Sequence, residues 1–378
     1  MRCPEPEIRP GRKTMRLRSA VALLPVIALM AIAPGIPAET TRTLRVELSA
    51  DALQRFAVEN LAGVMRVTTG DVKTVVAIAT VHAESDELAK AVTFEQVTGK
   101  TGLPTLRVRY PLDQESVLRY PGRRDGSGLL GSMFGGSGTS TEYDGHRVKI
   151  GETSGVLLYA DVDVQVPRHL DDATFRNLVG ALEGKNLEGK IKFDTSSGDI
   201  TTSRVRGDIK TDTGSGDVKA SDMGGSFSCD TGSGDCDLAG FDGETLHCNV
   251  GSGDVTLRKA SARLVDVTTG SGDARVIEGD LAEFRAITGS GDVHLENPGA
   301  RLARVKADTG SGNVVLRLGP EASFEALADQ GSGDIVVGYK DAQAIVRHKE
   351  VIGYRRGDAR IKIDVDTGSG DLTIEPGA

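Results

Sequence analysis

The residues best placed to do chemistry are aspartates that recur in one short motif, Asp-Thr-Gly-Ser-Gly-Asp followed by an apolar residue. Nine copies or close variants occur, closing on Asp199, Asp217, Asp235, Asp254, Asp273, Asp292, Asn313, Asp334 and Asp371. If equivalent repeats stack, Asp217, Asp235, Asp254, Asp273 and Asp292 form a row of carboxylates about 5 Å apart. Like charges so placed repel. Corner N–H groups, solvent or cations must offset the repulsion. Calcium suits such all-oxygen surroundings, and these five residues are the candidates for weak calcium binding. A second acidic row holds Asp212, Asp230, Asp308, Asp329 and Asp366. The motif differs from the calcium-binding nonapeptide, which repeats about every nine residues. The favoured reading is a solvated or N–H-bonded corner aspartate.

Other chemical signals are sparse. His82, His146, His169, His247, His294 and His348 are scattered, without the spacing of a metal site. A catalytic centre needs one unique constellation, whereas stacking explains many identical copies. No catalytic residue and no cofactor is expected. Two Arg-Gly-Asp tripeptides, Arg206-Gly207-Asp208 and Arg356-Gly357-Asp358, read as by-products of a chain rich in Gly-Asp turns. Tyr339 and Tyr354 are the only hint of sugar stacking. Cys229, Cys236 and Cys248 fall at inward positions, where free thiols pack as small hydrophobes. An oxidising compartment leaves a disulfide among them open.

The elements that must carry these residues are short strands. Counting from the repeated Asp, position +1 reads Ile200, Val218, Cys236, Val255 and Ala274, and position +3 reads Thr202, Ala220, Leu238, Leu257 and Val276. Position −8 reads Ile191, Ile209, Phe227, Leu246 and Val265, with polar residues between. This period of two is a strand with one buried face. The copies are spaced 18, 18, 19, 19, 19, 21, 21 and 37 residues apart, the last as if one copy were degenerate. Propeller blades need about 40 residues, and a flat meander leaves one face bare. The spacing therefore predicts an all-β solenoid, or β-helix, of stacked ~19-residue coils. Glycine, 48 of 378 residues, allows close approach at the corners. Thr213, Thr231, Thr269, Thr288, Thr309 and Thr367 are placed to form an inward hydroxyl ladder. A core without Trp and with 4% aromatics suits a narrow solenoid.

The organisation reads as a leader over 1–38, an irregular N-terminal β cap with early coils over 39–120, a Gly/Ser-rich insertion loop and link over 121–150, and the repeat domain over 151–378. Thr68-Thr69-Gly70-Asp71 resembles a worn copy of the motif, and 338–362 breaks the period as a cover for the last coil. Arg16 and Arg18, the apolar run Ala20–Ala33 and Pro34-Gly35-Ile36-Pro37-Ala38 have signal-peptide order, with cleavage after Ala38. Met15 is a second plausible start. The net charge of −9 argues against nucleic acid. Residues 1–38 carry a net +4, so the remainder carries −13.

The Thr-Gly-Ser-Gly-Asp-Val cadence, with Asp161-Val162-Asp163-Val164-Gln165-Val166-Pro167 before it, resembles the bacterial "putative adhesin" β-strand-repeat family, a domain of unknown function. The resemblance is good over 158–376 and weak over 43–110. It implies export and a β-helical fold and supplies no catalytic or binding residues. The expected protein is an exported cell-envelope module, adhesin-like or scaffolding, in the periplasm, on the outer surface or outside the cell. Its partner is unknown, with a surface glycan or protein as candidates, no nucleic acid, and no transmembrane span after leader cleavage. A β-helical polysaccharide-processing enzyme and a calcium-loaded adhesin are the alternatives.

Overall fold

The structure, a computed structural model, describes residues 39–48, 55–99, 102–122 and 138–377. The signal-peptide reading over Arg16–Ala38 and most of the Gly/Ser-rich loop, 123–137, lie outside the described residues. Ala38–Ala378 form one compact unit with a continuous apolar core.

The expected β-solenoid is what this unit forms. Strands Leu182–Ser197, Ile200–Ser215, Val218–Thr231, Cys236–Val250, Val255–Thr269 and Ala274–Thr288 each pair in parallel with the next. In the Asp254 coil, Val255, Leu257, Ala260, Ala262, Val265, Val267 and Thr269 all point into the core. The step from Leu257 to Ala260 breaks strict alternation. Lys259 sits there in the left-handed region at φ 56, so that a single extra residue turns the strand and returns the next side chain inward. Asn186, Arg204, Asp222, Gly240, Glu278 and Asn297 repeat this corner, with φ between 49 and 78.

A second glycine ladder runs down the next side. Gly189, Gly207, Gly225 and Gly243 are register partners. Gly207 has φ 124, and a Cβ there would stand 2.1 Å from the Gly189 carbonyl oxygen. The ladder ends at Ala262 and Leu281, where coils are longer. The register shifts between Gly225 and Ser226, so Glu244 is the extra residue that lengthens a coil from 18 to 19. It is exposed, and the core spacing is undisturbed.

Both ends depart from chain order. Met65–Thr69 is sandwiched in parallel between Val156–Val166 and Leu182–Ser197, and Arg55–Ala62 lies between His169–Val179 and Pro104–Arg109. The worn corner is thus Gly63-Val64 and not Thr69-Gly70-Asp71. At the other end, Ile361–Thr367 lies between Arg304–Thr309 and Phe324–Gln330, and Leu372–Pro376 lies between Val314–Leu318 and Ile335–Val337. The long spacing before Asp371 therefore hides no degenerate coil. The chain overshoots and its final coil inserts behind the previous one. Residues 338–362 supply a hairpin, Gln343–Arg347 with Glu350–Arg356. Its second strand pairs antiparallel with Phe324–Leu327 and covers that edge. Ile335–Val337 receives no such cover from the hairpin.

Candidate functional site

The aspartate row is built by the corner backbone. Each coil delivers the Asp N–H to the carboxylate of the coil before it. Asp235 N donates to Asp217 Oδ1 at 3.2 Å, Asp254 N to Asp235 at 2.9 Å, Asp273 N to Asp254 at 2.8 Å and Asp292 N to Asp273 at 2.8 Å. The chain of bonds continues through Asn313 and Asp371 to Asp334, following spatial order rather than sequence order. At the other end Val64 and Ala181 interrupt the row, and beyond them Asp161 repeats the bond, accepting from Val64 N at 2.8 Å. Backbone donors thus take one oxygen of each of the five candidates. Basic groups flank several second oxygens: Lys219 lies 3.6 Å from Asp217, Arg275 contacts both Asp254 and Asp273, and His294 lies 3.8 Å from Asp292. N–H donors and flanking cations offset the like-charge repulsion.

In the second row, Asp212 pairs with Lys192 at 3.1 Å and Asp230 with Lys210 at 2.7 Å. Asp308, Asp366 and Asp329 are neighbours in register at the inserted coil. Among the described residues, no group of three His, Cys, Asp or Glu side chains is close enough to hold a metal ion.

The threonines differ in detail from a hydroxyl ladder. Thr288 Oγ1 donates to the Gly272 carbonyl of the preceding coil at 3.0 Å and accepts from its own Gly291 N at 2.9 Å. Thr231, Thr269 and Thr309 repeat the bridge. Each hydroxyl joins two backbone groups rather than another hydroxyl. Thr213 donates to Gly198, while Thr367 turns to Gly370 of its own corner. In the two early coils the same position is Asn60 and Asn177, both fully buried. Asn60 Nδ2 donates to Asn177 Oδ1 at 2.9 Å, and Tyr110 donates to Asn60 Oδ1 at 2.8 Å.

Cys229, Cys236 and Cys248 are fully buried free thiols, with Cys236 Sγ 3.8 Å from Cys248 Sγ. Hydrogen bonds with Cys229 and Cys248, and then burial, push the Cys236 thiol well above its ordinary range.

Where the coils lengthen to 21 residues, the side formed by Ala260–Ala262 in earlier coils is replaced by loops. A cleft of about 840 Å³ opens there. Leu302 and Leu318 are buried beside it, and Glu321, Asp358 and Arg360 stand exposed around it. Nothing in the sequence pattern marked it. Tyr339 and Arg356 brace it and are not free for other tasks. The Tyr339 hydroxyl lies 3.0 and 2.9 Å from the Leu318 and Gly319 carbonyls, which withdraws this ring from sugar stacking. Arg356 stacks over Tyr339 at 4.7 Å, holds Asp341 at 2.7 Å and donates to the Pro320 and Ala322 carbonyls. The second Arg-Gly-Asp therefore does not present its arginine. The first lies inside the parallel ladder, with Gly207 stacked on Gly189.

Residues 160–375 match the family model described as Toastrack DUF4097. No curated protein matches the chain significantly. Among solved structures, a "putative lipid binding protein" from Parabacteroides distasonis is 11% identical, over 88% of this chain and 96% of that one, with a TM-score of 0.38. A "putative cell adhesion protein" from Clostridium sporogenes is 9% identical, over 89% and 100%, with a TM-score of 0.20. A "putative adhesin" from Parabacteroides merdae is 12% identical, over 72% and 92%, with a TM-score of 0.29. At these TM-scores the likenesses carry no argument about function.

Proposed function

The chain belongs to the Toastrack DUF4097 family, and from that premise we propose that it is an exported cell-envelope module that binds or scaffolds without catalysis. One observation carries the reading. The residues that look like chemistry are engaged in stacking, since each repeated Asp and most of the inward Thr are hydrogen-bonded between coils. Recognition then falls to surfaces that do not repeat, and the loop-lined cleft beside Leu302 and Leu318 is the candidate contact. Export rests on the basic, apolar, breaker order of Arg16–Ala38. No described helix is long and apolar enough to cross a membrane.

A glycan and matrix-protein array probed with residues 38–378 tests the proposal. Binding to a defined ligand that is lost in Ala300→Trp, which fills the cleft, is the expected result. Release of reducing ends from an arrayed glycan, lost in Glu321→Gln, would instead establish the polysaccharide-processing alternative.

A further inference from the structure

The hairpin Gln343–Arg347 and Glu350–Arg356 closes with a two-residue loop. His348 at φ 51 and Lys349 at φ 77 are both left-handed. Such loops favour Asn-Gly or Asp-Gly, because side chains with a Cβ are strained there. The other two-residue hairpin among the described residues follows the preference, with Asp144 at φ 50 and Gly145 at φ 78. A chain with 48 glycines has used none at the second tip and has kept two basic residues in strained backbone. At Arg204, Lys259 and Glu278 the same backbone turns a stacked coil, whereas no neighbouring coil requires it at this exposed tip.

Charge and polarity single out the same place. Residues 340–360 carry six Lys and Arg against three Asp and Glu, in a chain whose net charge is −9. Arg347, His348 and Lys349 are exposed and make no ion pair among the described residues. Six large apolar side chains are exposed among the described residues, and four belong to the outermost coil, Phe324–Gln330 with Ile335–Val337, and its hairpin. Val346 is 60% exposed, Val336 52%, Val351 47% and Leu327 39%. Val346 and Val351 are cross-strand partners directly beneath the basic tip.

We propose that this hairpin docks the protein on an anionic phospholipid surface. Arg347, His348 and Lys349 meet the headgroup phosphates, and Val346 and Val351 enter the interface behind them. Interfacial binding combines apolar contact with attraction to anionic lipid, and the hairpin offers both. A soluble polyanion would satisfy the tip but leave the valines in water. A second copy docked through the same end would bring two basic tips together. The acidic remainder of the chain is repelled by the same surface, which restricts approach to the tip.

The test uses residues 38–378, a compact unit, so that Ala20–Ala33 does not itself bind lipid. Flotation with phosphatidylcholine vesicles containing phosphatidylglycerol is compared with phosphatidylcholine alone. Binding should need the anionic lipid and weaken with salt. Each basic residue near the surface adds roughly fivefold, so R347Q/K349Q should lower partitioning about 25-fold. H348N/K349G should raise the melting temperature by relieving the turn while it weakens binding, which separates docking from folding. V346T/V351T should lose vesicle binding and keep its retention on heparin. Equal binding to neutral vesicles, or indifference to R347Q/K349Q, would overturn the proposal. Retained vesicle binding in V346T/V351T would show that the tip binds by charge alone, as it would any polyanion, and would overturn the entry of the valines into the interface. Self-association abolished by V346T/V351T, with no vesicle binding, would reassign the face to a second copy. None of these outcomes touches the cleft, so the function proposed above stands or falls separately.

Discussion

Gly272→Ala places one methyl group where two coils meet. An ideal Cβ at Gly272 would stand 1.9 Å from the Gly253 carbonyl oxygen and 2.4 Å from its carbon, whereas ordinary contact begins at 3.4 Å. The clash is with backbone, so the coils must part by about 1.5 Å, the difference between those two distances. Three hydrogen bonds span that gap: Asp273 N to Asp254 Oδ1 at 2.8 Å, Val255 N to the Asp273 carbonyl at 2.8 Å, and Thr269 Oγ1 to the Gly253 carbonyl at 3.0 Å. Stretched by that amount they are broken, at ~1 kcal/mol each. Gly272→Ala should therefore cost about 3 kcal/mol. The substitution acts through close approach, not through φ, because Gly272 lies outside the left-handed region. Urea unfolding measures the loss, and amide exchange should show lost protection at the Asp254 and Asp273 corners first. Gly319→Ala is the control, since its Cβ would meet nothing within 4 Å. It should change stability by no more than ~0.5 kcal/mol. A Gly272→Ala protein as stable as the control would refute close corner stacking as the reason for the motif.

The Asp254 coil has Val250 where its neighbours have Thr231 and Thr269. Val250→Thr should restore the bridge from Gly253 N to the Gly234 carbonyl and raise stability by about 0.5–1.5 kcal/mol in urea unfolding. Asp254→Asn keeps the acceptor for Asp273 N, as Asn313 does naturally for Asp371 N. It should leave the urea midpoint nearly unchanged, whereas Asp254→Ala should lower stability by ~1–2 kcal/mol. Calcium at millimolar concentration should raise the melting temperature only slightly. Micromolar affinity lost in Asp254→Ala/Asp273→Ala would revive the calcium-loaded adhesin. Cys229, Cys236 and Cys248 should react with thiol reagents only on unfolding, and rapid labelling of native Cys236 would contradict its burial.

What was legible in the sequence was the chemistry that only particular residues can do. Gly-Ser-Gly-Asp announces a stacked corner because a Cβ is excluded and a carboxylate is needed as acceptor. The corner at Asn186, Arg204, Asp222, Lys259 and Glu278 was silent, because five residue types meet the same backbone demand. The early corner at Gly63-Val64 escaped notice because Asn60 replaces Thr and Asp161 supplies the carboxylate from another stretch of chain. Spatial order was equally hidden. Asp371 and Asp334 carry the same motif, so either can follow Asn313, and only the register shows which does. The cleft depends on loops at 297–303, 319–323 and 357–360 that share no pattern.

The inserted final coil has a mechanical and kinetic consequence. A stack assembled in chain order grows by adding rungs to a free edge, and it peels from that edge under load. Here a rung made later than both its neighbours is an interior one, gripped by Arg304–Thr309 on one side and Phe324–Gln330 on the other. The chain must hold those two apart, or part them again, before Ile361–Thr367 can enter. Folding in chain order therefore includes an intercalation at this point rather than an addition. Once it is seated, a pull on Ile361–Thr367 strains two ladders at once, and this rung becomes one of the harder places from which to unravel the stack.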